Sequence, residues 1–97
     1  MSAFAPYDGL AVTISAVATS ALSQFIGSFG NNVSIYNKGP NDCRIRQGNA
    51  SVQAILTDLM IPLQSYSIIR KGGTHLSALC NTGETAVLEI CPGNGGD

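Results

Sequence analysis

Apolar and polar residues alternate in short runs along most of the chain. Val12, Ile14 and Ala16 fall on one side of an extended segment, with Thr13 and Ser15 on the other. The same period of two recurs at residues 33–37, 43–47, 74–80 and 85–91. In these runs Cys43 and Ile45 oppose Arg44 and Arg46, Leu76, Ala78 and Cys80 share a side, and so do Ala86, Leu88 and Ile90. Successive side chains of a strand point to opposite faces, so each run predicts a strand with one face buried and one wet. Residues 22–26 and 65–71 read as further strands, and 52–54 as a brief one. Residues 55–60 fit a helical turn that Thr57 or Asp58 would cap. Residues 61–63 should run extended, because Pro62 disfavours helix before it.

Turn chemistry punctuates these runs. Residues 27–31 form a Gly-rich loop, and Lys38-Gly39-Pro40-Asn41-Asp42 is the clearest turn, since Gly and Pro together oppose a continuing ladder. Gly48-Asn49 and Gly72-Gly73 are turns as well. The expected pairings are a hairpin over 33–47 and a hairpin-type turn at 81–84 joining the last two strands. The pattern amounts to about seven or eight short strands at spacings of roughly 8–12 residues, an all-β chain with the pattern of an antiparallel β-sandwich or a jelly roll. Residues 11–91 make the sandwich domain, 1–10 an N-terminal arm and 92–97 a flexible tail.

Composition narrows the function classes. Of 97 residues, 44% are hydrophobic and only 11% charged, with a net charge of −1. Ordinary domains carry about 25% charged residues. No basic stripe exists to neutralise phosphates, so nucleic acid is not an expected partner. Residues 1–22 lack a basic start, and Pro6 and Asp8 interrupt them, unlike a secretory signal. The apolar stretch 10–22 is too short to span a bilayer, so no membrane is implied and synthesis in a cytoplasm without export is expected. The N-x-S sequons at Asn32 and Asn49 carry no meaning there. The three cysteines are odd in number and contain no C-x-x-C pair. They predict neither a disulfide framework nor a zinc site, but buried thiols.

No constellation for catalysis emerges. His75 is the single histidine, and Cys80, five residues on, would point to the opposite face of the same strand. Glu84 and Glu89 are the only glutamates, and no tryptophan is present to line a sugar cleft. Gly93-Asn94-Gly95 opens no helix and so makes no phosphate cradle. No catalytic residue, cofactor or metal ligand is expected. The surface remains: Arg44, Arg46 and Arg70 as cationic contacts, and Phe4 and Tyr7 as aromatic anchors on the N-terminal segment. A domain this small buries only about 60–65% of its unfolded area. So much neutral surface on a marginal domain predicts a homo-oligomer, a dimer or trimer, or a lattice-bound subunit.

The order of motifs resembles small virion proteins of tailed bacteriophages and prophages. The shared features are a strand ending in Asn37-Lys38-Gly39, a strand closing on a glycine, and a Pro62-Leu63-Gln64-Ser65 turn. A Thr74 to Leu79 strand follows, then a T-G-x-T-A-x-L-x-I run and a P-G-x-G end. The chain departs from that style at Gln64, where a small turn residue is usual, and in its three cysteines. The resemblance spans nearly the whole chain. It implies a jelly-roll-like sandwich at the capsid surface of a virion, made in the host cytoplasm, that decorates or cements the shell by bridging major capsid protein subunits. The alternative is a tail- or fibre-associated binding module for host recognition.

Overall fold

The computed structural model describes residues 3–7, 9–18 and 23–96, which hold nine strands and no helix. The strands are β1 (Ala5–Pro6), β2 (Val12–Ala16), β3 (Ser23–Phe25), β4 (Asn32–Pro40), β5 (Cys43–Gly48), β6 (Leu59–Ile61), β7 (Tyr66–Arg70), β8 (His75–Leu79) and β9 (Ala86–Asn94). They form two antiparallel sheets. The first runs β1-β9-β4-β7, with β2 also paired to β9; the second runs β3-β8-β5-β6. Part of the 22–26 run, residue 22, lies outside the described residues.

The alternation read in the sequence supplies the core. Val33, Ile35, Leu88 and Ile90 from the first sheet meet Ile45, Ile61, Leu76 and Ala78 from the second, each at most 3% exposed. Burying one such aliphatic side chain contributes about 1.5–3 kcal/mol, so the inward faces hold the two sheets together.

Both expected hairpins are corrected. β4 pairs with β7 and β9, whereas β5 pairs with β6 and β8, so the 33–47 segment crosses from one sheet to the other. The 81–84 turn does form, with the Glu84 N–H donating to Asn81 O at 3.0 Å, yet it joins β8 to β9 across the sandwich. Both long strands of the first sheet already have partners on both edges, and that leaves no free edge for a local hairpin. The 38–42 turn is also shorter than expected. β4 continues through Pro40, with a register shift between Asn37 and Gly39 and a cis Gly39–Pro40 bond. Residues 52–54 form no strand. They fold back over the second sheet, where the Ala54 N–H donates to Ser77 Oγ at 2.9 Å. Residues 55–58 turn without becoming a helix: the Asp58 N–H donates to Ile55 O, and Asp58 Oδ2 accepts from the Ile55 N–H.

Asn37 locks the end where the sheets meet. It is fully buried, and its Nδ2 donates to Asn41 O (2.9 Å) and to Ile61 O (3.0 Å) on the opposite sheet. Its Oδ1 accepts from the Gly39 N–H at 2.7 Å. The Asn-x-Gly signature is therefore a polar clasp between β4 and β6.

The described residues near both termini pair with each other. Ala5 pairs with Asn94 and Pro6 with Gly93, which places the described part of the N-terminal segment alongside β9. Pro92 and Gly93 are buried within β9, so the flexible tail expected from residue 92 does not begin there. A Cβ at Gly93 would strike the Ala5 carbonyl and come within 2.6 Å of the Phe4 ring, so only glycine admits β1 at this position.

Gln64 adopts φ 57°, a left-handed conformation that glycine takes without steric cost. It sits third in the turn closed by the Ser65 N–H on Pro62 O, and its side chain is exposed. Gln64→Gly is expected to stabilise the fold by about 0.5–1 kcal/mol, read as a higher urea midpoint with unchanged slope.

Candidate interaction surface

The aromatic anchors are engaged within the chain. Tyr7 packs on Phe29 with ring centroids 6.0 Å apart, and its hydroxyl accepts from Asn94 Nδ2 at 3.0 Å. Phe4 is half-buried against Gly93 and Gly96. Both hold the N-terminal segment on β9, and only the outer part of Tyr7 faces solvent.

Arg44 and Arg46 share the outer face of β5, as their spacing predicts, but Asp58 takes up both. Arg46 Nε and Nη2 donate to Asp58 Oδ1 at 3.1 and 2.9 Å, and Arg44 Nη1 donates to Asp58 O at 3.2 Å. Partial burial works against the Asp58 charge, but the Arg46 hydrogen bond, the Ile55 N–H and the Arg46 charge outweigh it and hold the carboxyl below its usual value. The cationic patch on β5 is thus partly neutralised from within.

Arg70 stands elsewhere, at the end of β7. With Lys71, Asn31 and Asn32 it lines an open cleft of about 320 Å³. Its carbonyl accepts from Gln47 Nε2 at 2.8 Å, which ties the end of β7 to β5. The structure does not bring Arg70 together with Arg44 and Arg46.

The largest exposed feature is apolar. Six of the ten large hydrophobic side chains exposed among the described residues fall between positions 55 and 66: Ile55, Leu56, Leu59, Met60, Leu63 and Tyr66. They follow β6, the edge of the second sheet, through the 62–65 turn to β7, the edge of the first. One lateral wall of the sandwich is therefore greasy. Among the described residues, β7 also has no strand on its outer edge. Its bonds to β4 continue the Lys71 N–H to Asn31 O and Asn37 N–H to Ser65 O pattern, so alternate residues Tyr66 and Ile68 turn their backbone groups outward. β7 has neither a proline nor an inward charge to discourage another strand.

The ionisable groups inside belong to packing. His75 pairs with Phe25, ring centroids 5.3 Å apart, and its Nδ1 shares a 2.9 Å hydrogen bond with Thr74 Oγ1. Among the described residues no group of three or more His, Cys, Asp or Glu is placed to hold a metal ion. Cys43 and Cys80 are buried and Cys91 half-buried, all three as thiols.

Burial, and then the adjacent Cys80, push the Cys43 thiol up to about 12. The unfolded chain gives up this proton from about pH 9 while the folded chain keeps it, so this contribution to stability is full below pH 9.0 and lost as pH rises toward 12. Urea titrations at rising alkaline pH should show wild type losing up to about 1.4 kcal/mol per pH unit more than Cys43→Ala.

No protein-family model, curated protein or solved structure matches the chain.

Proposed function

We propose that the chain is a virion structural subunit, a decoration or cement protein that bridges major capsid protein subunits on the shell of a tailed bacteriophage. The carrying observation is the apolar wall over residues 55–66 beside the outer edge of β7. So many exposed apolar side chains along one segment of so small a domain mark a surface that another protein covers. The strand orders β2-β9-β4-β7 and β3-β8-β5-β6, alternating between sheets, support a jelly-roll reading of the sandwich. The low charge of the surface removes the desolvation cost that lysines and glutamates would impose on docking.

The mechanism is additive burial. A shell fails where its subunits part, and a small sandwich seated across that joint must be peeled away before the joint opens. Edge pairing through β7 supplies direction through backbone hydrogen bonds, and the wall supplies apolar area. Repetition over the lattice lets modest affinity per site give firm attachment, and a dimer or trimer of the chain multiplies it again.

The cleft lined by Arg70 and Lys71 favours a second reading, a tail- or fibre-associated module that binds a polar host ligand. Quantitative mass spectrometry of purified particles separates the two. A copy number on the order of hundreds supports the shell reading, since lattice-wide avidity needs it. A few dozen or fewer supports the tail reading, and absence from the particle contradicts both.

A further inference from the structure

Cys43 and Cys80 are cross-strand neighbours. β5 and β8 pair with Arg44 opposite Leu79, so the next step of the antiparallel register sets Cys43 opposite Cys80. The Cys80 N–H donates to Val17 O at 3.1 Å, away from β5. The two cysteines therefore form a non-hydrogen-bonded pair, the type in which facing side chains lie closest, with Cα atoms about 4.5 Å apart. A disulfide accepts Cα separations of about 4.4–6.8 Å. Both side chains point into the core, at 1% and 2% exposure, and the Cys43 thiol lies 3.6 Å from the carbonyl of Leu79, the residue before Cys80. Cys91 is on β9 in the other sheet, with its side chain beside Tyr7 O.

We propose that Cys43 and Cys80 form an intramolecular disulfide when the chain folds in the presence of a small-molecule disulfide, stapling β5 to β8. With oxidised glutathione, the thiolate of one cysteine attacks a glutathione sulfur and expels one glutathione thiolate, leaving a mixed disulfide. The second cysteine thiolate then attacks the protein-side sulfur and expels the other. The protein loses two electrons and two protons, and one oxidised glutathione becomes two reduced molecules. Burial keeps the thiols protonated in the folded chain, so exchange runs through opening or refolding rather than through the closed sandwich. The staple is independent of any role on a virion.

The test is refolding from denaturant in a buffer of oxidised and reduced glutathione, followed by alkylation and peptide mapping. Three cysteines allow three single bridges. The expected product carries the Cys43–Cys80 bridge in excess over both others, weighs about 2 Da less than the reduced chain, and melts at least roughly 5 °C higher. A Cys91→Ser variant, altered at a half-buried position, should give the same bridge without competition. Predominance of a bridge to Cys91, a folded product in which Cys43 and Cys80 both remain alkylatable after denaturation, or a bridged form that melts lower than the reduced one would overturn the proposal.

Discussion

Asn37→Ala is expected to cost the fold about 3–5 kcal/mol, because it leaves three polar groups in the interior without their partner. Those groups are Ile61 O, Asn41 O and the Gly39 N–H, at the buried end where β4 leaves the first sheet for the second. Water cannot replace the side chain easily, since the position is fully enclosed. A small domain has only about 5–15 kcal/mol in total, so the variant should be partly unfolded at physiological temperature. Asn37→Asp should fare no better. It keeps the acceptor for Gly39 but loses both donors and buries a charge. Urea titration reads the result as a lower midpoint with an unchanged slope. A loss below about 1 kcal/mol would mean that the clasp carries little of the inter-sheet connection.

The second large effect concerns assembly rather than folding. Leu56→Glu combined with Leu59→Glu should leave the melting temperature within a few degrees, because both side chains are about half exposed, at 47% and 55%. The same pair should weaken attachment to the particle by about 100-fold or more, since two carboxylates would have to be desolvated in the covered wall. Occupancy measured by titrating purified protein onto particles stripped of it gives the ratio directly. Unchanged occupancy would remove the wall from the interface and leave the Arg70–Lys71 cleft as the remaining surface feature of note.

The strands were legible because the inward faces are regular. Val12 to Ala16, Cys43 to Gln47 and Ala86 to Ile90 each alternate cleanly, and burial follows that alternation. Pairing was not legible. The turns at 38–42 and 81–84 carry hairpin chemistry, but partner choice is settled by long-range burial, and both connections change sheets. Lys38-Gly39-Pro40 looked like a full stop because glycine and proline oppose a ladder. Instead the bulge absorbs them, and β4 continues to Pro40. The end of the chain looked too rich in glycine to pack. Yet small residues are what permit β1, Gly30 and β9 to approach so closely.

The interaction surface was legible only in part. Arg44 and Arg46 were visible as a pair, but Asp58, whose carboxylate takes Arg46 and whose carbonyl takes Arg44, lies just before the neighbouring β6 in a segment that reads as a helical turn. The apolar wall left no periodic signal, because Leu59, Met60 and Ile61 run consecutively and only Ile61 is buried. A run of adjacent apolar residues that belongs to no alternating face was the one available clue. The facing of Cys43 and Cys80 needs the β5–β8 register, which no local pattern encodes.

Amide hydrogen exchange of the chain, free in solution and seated on its particle, bears most directly on the covered wall. The predicted result is slowing by about tenfold or more across residues 55–68, strongest at the outward-facing amides of Tyr66 and Ile68. Exchange there that is the same free and bound, with protection appearing only at the N-terminal segment or around Arg70 and Lys71, would contradict it.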